Sequence, residues 1–280
     1  MKTQKKLWSA LAALCVATGT VAQPAYDYSK LQKEQLGRGV VAIRENPSDV
    51  VVSWRYLSSD PMNTSFNVYR NGEKIAEIPH STGTFYRDTY SGNEKAVYTV
   101  KPMINGVETG KLNGNYTLPA NAPSGYIDIP LDRPAEGVTP SGQKYTYSPN
   151  DASIGDVDGD GEYEIILKWD PSNAHDNAHD GYTGNVYFDC YRLTGEKLWR
   201  IDLGHNVRAG AHYTQFMVFD LDGDGKAEVV MKTSDGTKDG KGKIIGDAKA
   251  DYREPGITDG NSYGLSLIHI SEPTRLDVIS

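Results

Sequence analysis

Cysteine is nearly absent from this 280-residue chain, with only Cys15 and Cys190 present. Cys15 falls in the first apolar stretch, where Leu14 before it does not suit a lipid-attachment site. With that stretch removed as a leader, Cys190 stands alone and no intrachain disulfide can form. Long apolar runs are missing as well: past the N-terminal stretch none reaches the length of a membrane span. Positive charge is in deficit. Lys and Arg number 29 against 37 Asp and Glu, a net charge of −8, which argues against nucleic acid as a partner. In their place stand 18 Tyr and 29 Gly with modest apolar content, a composition that suits many short strands and turns, not a helical bundle.

The N-terminus carries Lys2, Lys5 and Lys6, then the apolar stretch from Leu7 to Val16, then small residues up to Thr20-Val21-Ala22. This is the pattern of a secretory signal peptide over residues 1–22, so a secreted or periplasmic protein is expected. An exported chain without disulfides needs another means of pinning its loops, and a hard cation is the obvious one.

Two copies of one acidic loop supply the donors for such a cation. They are Asp156-Val-Asp158-Gly-Asp160-Gly-Glu162-Tyr-Glu164 and Asp220-Leu-Asp222-Gly-Asp224-Gly-Lys226-Ala-Glu228, set 64 positions apart. Calcium takes roughly 6–8 oxygens. Side chains at positions 1, 3 and 5, the position-7 backbone carbonyl (Glu162, Lys226) and the position-9 carboxylate (Glu164, Glu228) furnish most of them. Gly161 and Gly225 fall where such loops turn sharply. A helix–loop–helix sensor is excluded because its position-12 Glu is replaced by Leu167 and Met231. Each loop runs instead into a β-branched apolar run, Glu164-Ile-Ile-Leu-Lys-Trp169 or Glu228-Val-Val-Met-Lys-Thr233, which reads as a buried strand. A solvated acidic turn could explain one loop; two with identical spacing are better explained by a metal. Such closed cages staple a fold and leave little room for substrate.

Residues 36–120 alternate strands with turns, including Val50–Trp54, Phe66–Arg70, Glu73–Ile78, Thr84–Thr89 and Ala96–Val100. Asn71-Gly72 and Asn105-Gly106 are hairpin signals. A fibronectin type III-like β-sandwich is expected, with Trp54 in its core and a sugar-stacking role for that ring as the minor alternative. Asn121–Gly125 reads as a linker. Residues 126–265, with the acidic loops, Asn185–Tyr191 and Lys197–Ile201, read as the first blades of a β-propeller. Ser266–Ser280 resembles translated sequencing-adaptor read-through and is expected to be no part of the fold.

Other motifs are weaker. His175 and His179 have the spacing of a helical zinc pair but lack its Glu, and the surrounding Pro, Asn and Gly favour a loop. Gly236–Lys243 is Gly- and Lys-rich yet fails the phosphate-loop pattern and reads as a solvated hairpin. Lys168 and Arg208 are candidate cleft cations, with surface or blade-edge roles as the alternative.

The runs Tyr147–Asp170, His212–Asp220 and Met231–Thr237, with Leu36-Gly-Arg-Gly-Val-Val41 ahead of them, resemble the family 11 polysaccharide lyases, the rhamnogalacturonan lyases. The resemblance spans residues 36–265 and implies an all-β fold, a fibronectin-like sandwich followed by an eight-bladed propeller with structural calcium and one active-site calcium. It implies β-elimination at the rhamnose–galacturonate bond of rhamnogalacturonan I; a monomer is expected, and charge and the lack of long apolar runs argue against nucleic-acid and membrane partners. Residue by residue, Asp156, Asp158, Asp160, Glu162 and Glu164 match one structural metal site, with Asp151 a further candidate. Asp220, Asp222, Asp224, Lys226 and Glu228 match another. Asn150 and Asp170 match substrate-binding positions of the cleft. No catalytic base is assigned: the basic cleft residues of the family have no counterpart here, and the chain stops well short of half the usual length, as a truncated fragment would. A non-catalytic, calcium-stapled propeller for carbohydrate binding or adhesion is the alternative.

Overall fold

The computed structural model describes residues 35–253 apart from 111–112, 177–178, 180 and 211–212. The expected leader (1–22), the expected tail (266–280) and His212 lie outside the described residues. Among the described residues every regular element is a strand.

The first eight strands are β1 (Val41–Asn46), β2 (Asp49–Ser53), β3 (Ser65–Arg70), β4 (Glu73–Ile78), β5 (Phe85–Thr89), β6 (Ala96–Ile104), β7 (Val107–Glu108) and β8 (Gly114–Leu118). They form two sheets, β1-β2-β5 and β4-β3-β6-β7 with β8 also on β6, all paired antiparallel. This is the fibronectin type III-like sandwich. Alternation does the work: Val50 and Val52 of β2 and Ala96, Tyr98 and Val100 of β6 point inward and are fully buried. Trp54 joins that core, its ring edge-on to Phe66 at 5.4 Å, so the packing role holds. Asn71-Gly72 and Asn105-Gly106 each place two residues at positive φ (51° and 85°; 52° and 78°), the geometry of the tightest hairpins.

Two short strands, β9 (Gly137–Val138) and β10 (Lys144–Tyr145), lead into β11 (Tyr147–Gly155), β12 (Glu164–Pro171), β13 (Tyr187–Tyr191) and β14 (Lys197–Asp202). These last four pair in sequence order as an antiparallel meander, a four-stranded, blade-like sheet. β15 (Phe216–Phe219) and β16 (Glu228–Met231) form a further antiparallel hairpin. The blade buries both faces. Ile166, Phe188, Cys190 and Ile201 pack with Val229 and Met231 of the second hairpin, and Phe188 meets Phe216 at 4.8 Å. Leu167, Trp169, Tyr147 and Tyr191 fill the other side. Cys190, in the first of these clusters, is a buried free thiol, and burial pushes its pKa up to about 12, so it is inert.

Candidate functional site

The two acidic loops occupy the β11–β12 and β15–β16 turns and fold alike, bond for bond. In the first, Asp156 accepts from the backbone N–H of Gly159 through Oδ1 (2.7 Å) and of Gly161 through Oδ2 (2.9 Å). Asp158 Oδ1 accepts from Asp160, Asp160 Oδ1 from Glu162, and Glu164 Oε2 from Val157. In the second, Asp220 accepts from Gly223 and Gly225, Asp222 from Asp224, Asp224 from Lys226, and Glu228 from Leu221. Positive φ at Gly159, Gly161, Gly223 and Gly225 (80°, 90°, 75° and 97°) makes this wrapping possible. Glu164 and Glu228 close the loops as the first residues of β12 and β16.

The donor set fits a hard divalent cation. Carboxylate oxygens of Asp156, Asp158 and Glu164 lie within 4.8 Å of one another, as do those of Asp220, Asp222 and Glu228. Asp156, Glu164 and Glu228 are each only 1% exposed. Burial, with Asp158 and Asp160 adding repulsion, raises the Glu164 pKa to about 7, and burial raises that of Asp156 too. Buried carboxylates crowded in this way are costly unless a cation compensates them. All donors are oxygen, which favours calcium over thiolate- or imidazole-seeking metals. Asp160 and Asp224 stand at the rims, and Glu162 and Lys226 turn their side chains outward to neighbours.

Those neighbours differ. Glu162 Oε1 accepts from the N–H of Gly39 at 3.3 Å, the Gly161 carbonyl accepts from Gly37, and Arg55 stacks over Tyr163 at 4.6 Å. The first loop is therefore the joint between sandwich and blade. Lys226 of the second loop lays its stem over Gly159 of the first, and the Ala227 N–H donates to the Asp156 carbonyl.

A second cluster lies on the blade itself. A bulge in β11 sets Asn150 and Asp151, both exposed, opposite the single residue Lys168 of β12. Lys168 is buried and donates to Asp151 Oδ2 at 2.7 Å. Asp170, next on the same face of β12, has a buried Oδ1 without a hydrogen-bond partner. Burial raises its pKa, Lys168 opposes that and Asp151 adds to it. Asn150, Asp151, Lys168 and Asp170 thus form one group, and Asp151 belongs with it, not with the first acidic loop. A strand rise of about 3.3 Å per residue keeps Asp151 several residues removed from Asp156.

Neither surface reading of the two candidate cations survives: Lys168 is 1% and Arg208 3% exposed. Arg208 clamps the loop carbonyls of Asp176 and His179, so it is a structural brace. His175 and His179 stand in that loop, ring to ring at 6.2 Å, and among the described residues no helix carries them as a zinc pair. One charged residue that sequence patterning passes over is Arg192, after β13, whose guanidinium bridges Asp158 and Asp160. No motif announces it, because the contact joins residues more than 30 positions apart.

Comparison with known proteins places these features in context. A family model described as "Rhamnogalacturonan lyase family 11, C-terminal domain" matches residues 126–269, and "Rhamnogalacturonan I lyases beta-sheet domain" matches residues 31–115. The rhamnogalacturonan endolyase YesW of Bacillus subtilis (strain 168) is 51% identical over 257 residues, covering 90% of this chain and 40% of the relative. The rhamnogalacturonan exolyase YesX of the same organism is 54% identical over 224 residues, covering 80% and 36%. The crystal structure of YesW superimposes with a TM-score of 0.72 at 53% identity, over 83% of this chain and 39% of that one. A Bacillus licheniformis rhamnogalacturonan lyase gives 0.70 at 52%, over 84% and 39%. The chain spans about two fifths of the length of the curated relatives it matches.

Proposed function

Because this chain belongs to rhamnogalacturonan lyase family 11, we propose that it is part of an exported, calcium-dependent lyase that cleaves the rhamnose–galacturonate backbone of rhamnogalacturonan I. The reaction is β-elimination. The C5–H and C4–O bonds of galacturonate break, a C4–C5 double bond forms, and no water is consumed.

The observation that carries the reading is the Asn150–Asp151–Lys168–Asp170 group. Galacturonate brings a carboxylate, and loss of the C5 proton builds further negative charge beside it. A site for that chemistry needs fixed positive charge and a means of orienting the ring. Lys168 is an ammonium held in place by burial and by its bond to Asp151. Asp170 offers a carboxylate oxygen that no protein donor uses, suited to a cation or a sugar hydroxyl. Asn150, exposed on the bulge, can donate from its amide to a substrate oxygen. Calcium bound at Asp170 would supply Lewis acidity toward the uronate carboxylate. Calcium in the two acidic loops would serve the fold. The leader-like N-terminus supports export, and the −8 charge argues against a nucleic-acid partner.

The test is absorbance in the unsaturated-uronate band while the intact lyase meets rhamnogalacturonan with calcium or with chelator. Growth of the band only with calcium is expected. Retained polysaccharide binding without any absorbance change would sink the lyase reading in favour of a binding propeller.

A further inference from the structure

The two acidic loops share their backbone geometry but not their electrostatic surroundings. In the first, the Arg192 guanidinium forks across the outer oxygens: one arm reaches Asp158 Oδ2 and the other Asp160 Oδ2 at 2.6 Å. Since Oδ1 of each already accepts a backbone N–H, both oxygens of each carboxylate have a protein partner. In the second loop the equivalent Oδ1 bonds are present, but among the described residues no Lys or Arg pairs with Asp222 or Asp224. The first loop also faces a cavity of about 550 Å³ between sandwich and blade, lined in part by Arg192, Asp160, Glu162 and Tyr163. A displaced guanidinium has room there, with Glu196 already 3.4 Å from its Nε.

We propose that Arg192 is a built-in counter-cation of the first acidic loop, which a metal must displace, so that the second loop binds calcium more tightly and loads first. The inference rests on the calcium reading of both loops. Its physical basis is competition for the same negative charge. A bidentate guanidinium satisfies two carboxylates in the metal-free chain, and a divalent ion entering the cage must repel or displace it. The second loop holds no such competitor. Because the first loop is also the joint to the sandwich, its later loading would tighten that joint only at higher calcium.

The sequence provides a selective reporter. Position 8 is Tyr163 in the first loop and Ala227 in the second, so terbium, an oxygen-seeking stand-in for calcium, is sensitised from within the first loop alone. The experiment is calorimetric titration of the full chain with calcium, beside Tyr163-sensitised terbium luminescence. The two acidic loops should give two steps, with the site whose luminescence Tyr163→Phe removes filling last. Asp222→Asn should delete the tight step and leave the luminescent one. Arg192→Gln should strengthen the luminescent step about tenfold, the scale of one charge-assisted hydrogen bond, without moving the other. Arg87→Gln, the same charge change at an exposed sandwich pair with Glu45, should move neither. An unchanged or weakened luminescent step in Arg192→Gln overturns the proposal, the weakened case meaning that Arg192 organises the cage for metal. Absence of any binding by the parent chain would remove the calcium reading itself.

Discussion

The backbone N–H of Ala227 donates to the carbonyl of Asp156 at 2.8 Å, fastening the second acidic loop onto the first residue of the first. Asp156 therefore uses its side chain to wrap its own loop and its main chain to hold its neighbour. Lys226 packs over Gly159 across the same seam. The four-stranded blade and the following hairpin are joined at their acidic loops as well as through the Phe188–Phe216 contact.

This linkage predicts that the loops are energetically coupled. Asp156→Asn and Asp220→Asn each lose cage charge, and each also loosens the seam that supports the other loop. A double-mutant cycle from thermal unfolding in calcium should give an interaction energy of roughly 0.5–3 kcal/mol. Additivity within about 0.5 kcal/mol would mean that the loops act independently.

Gly161 is constrained twice. Its φ is 90°, and an added Cβ would stand 2.9 Å from the Gly37 nitrogen and 3.1 Å from the Gln35 carbonyl. Gly72 has a similar φ of 85° with nothing within 4 Å. Gly72→Ala should therefore cost only the strain of a left-handed residue, about 1 kcal/mol, and Gly161→Ala about 3 kcal/mol or more. Equal losses of Tm would show that the sandwich does not press on the first loop.

Much of this was legible beforehand, for physical reasons. Asn-Gly pairs favour hairpins locally, short β-branched runs bounded by Gly and Asp, such as Glu164–Trp169, read as buried strand, and the acidic loops carry their geometry in their spacing. Three features were not. Asp151 is only five residues before Asp156, and sequence distance alone invites it into the cage; the bulge after Pro149 turns it to Lys168 instead. Burial of Lys168 and Arg208 depends on tertiary partners, which long polar side chains do not advertise. Arg192 is separated from its carboxylates by β12, β13 and the segment that joins them, so no local pattern records it.

The pKa shifts set opposite pH dependences in the two halves of the metal-free chain. Burial raises Glu164 to about 7, above its ordinary 4.5, so the folded state holds a proton that the unfolded state releases between those values. Stability from this group is complete at low pH and is lost as pH rises through about 7. Glu108 behaves the other way: bonds from Lys101, Tyr69 and Asn67 lower it to about 2, so its contribution is present above 4.5 and lost as pH falls toward 2. In chelator, Glu164→Gln should flatten the decline in Tm from acid to neutral pH, and Glu108→Gln should flatten the rise out of strong acid. Calcium should abolish the first slope by favouring ionised Glu164. A slope that persists unchanged in Glu164→Gln would place its source elsewhere.

Lys168 and Asp151 are an unequal pair, and the inequality separates stability from activity. The Lys168 side chain is 2% exposed and that of Asp151 69%. Lys168→Met removes a buried charge and leaves Asp151 in water, where it is solvated, so stability should change by less than about 1.5 kcal/mol. Asp151→Ala instead removes the ion-pair partner of a buried Lys168, and a loss of about 3 kcal/mol is expected. Asp170→Asn keeps the shape and removes the charge that Lys168 balances. If the group is the lyase centre, all three should depress β-elimination, Lys168→Met doing so in a protein of nearly parental Tm. Asp170→Asn should lower kcat/KM by roughly 10²–10³, the scale of one lost transition-state contact. Uronate absorbance alongside Tm for each variant decides it. A Lys168→Met lyase with parental rate would confine the pair to folding and leave Asp170 without its proposed electrostatic partner.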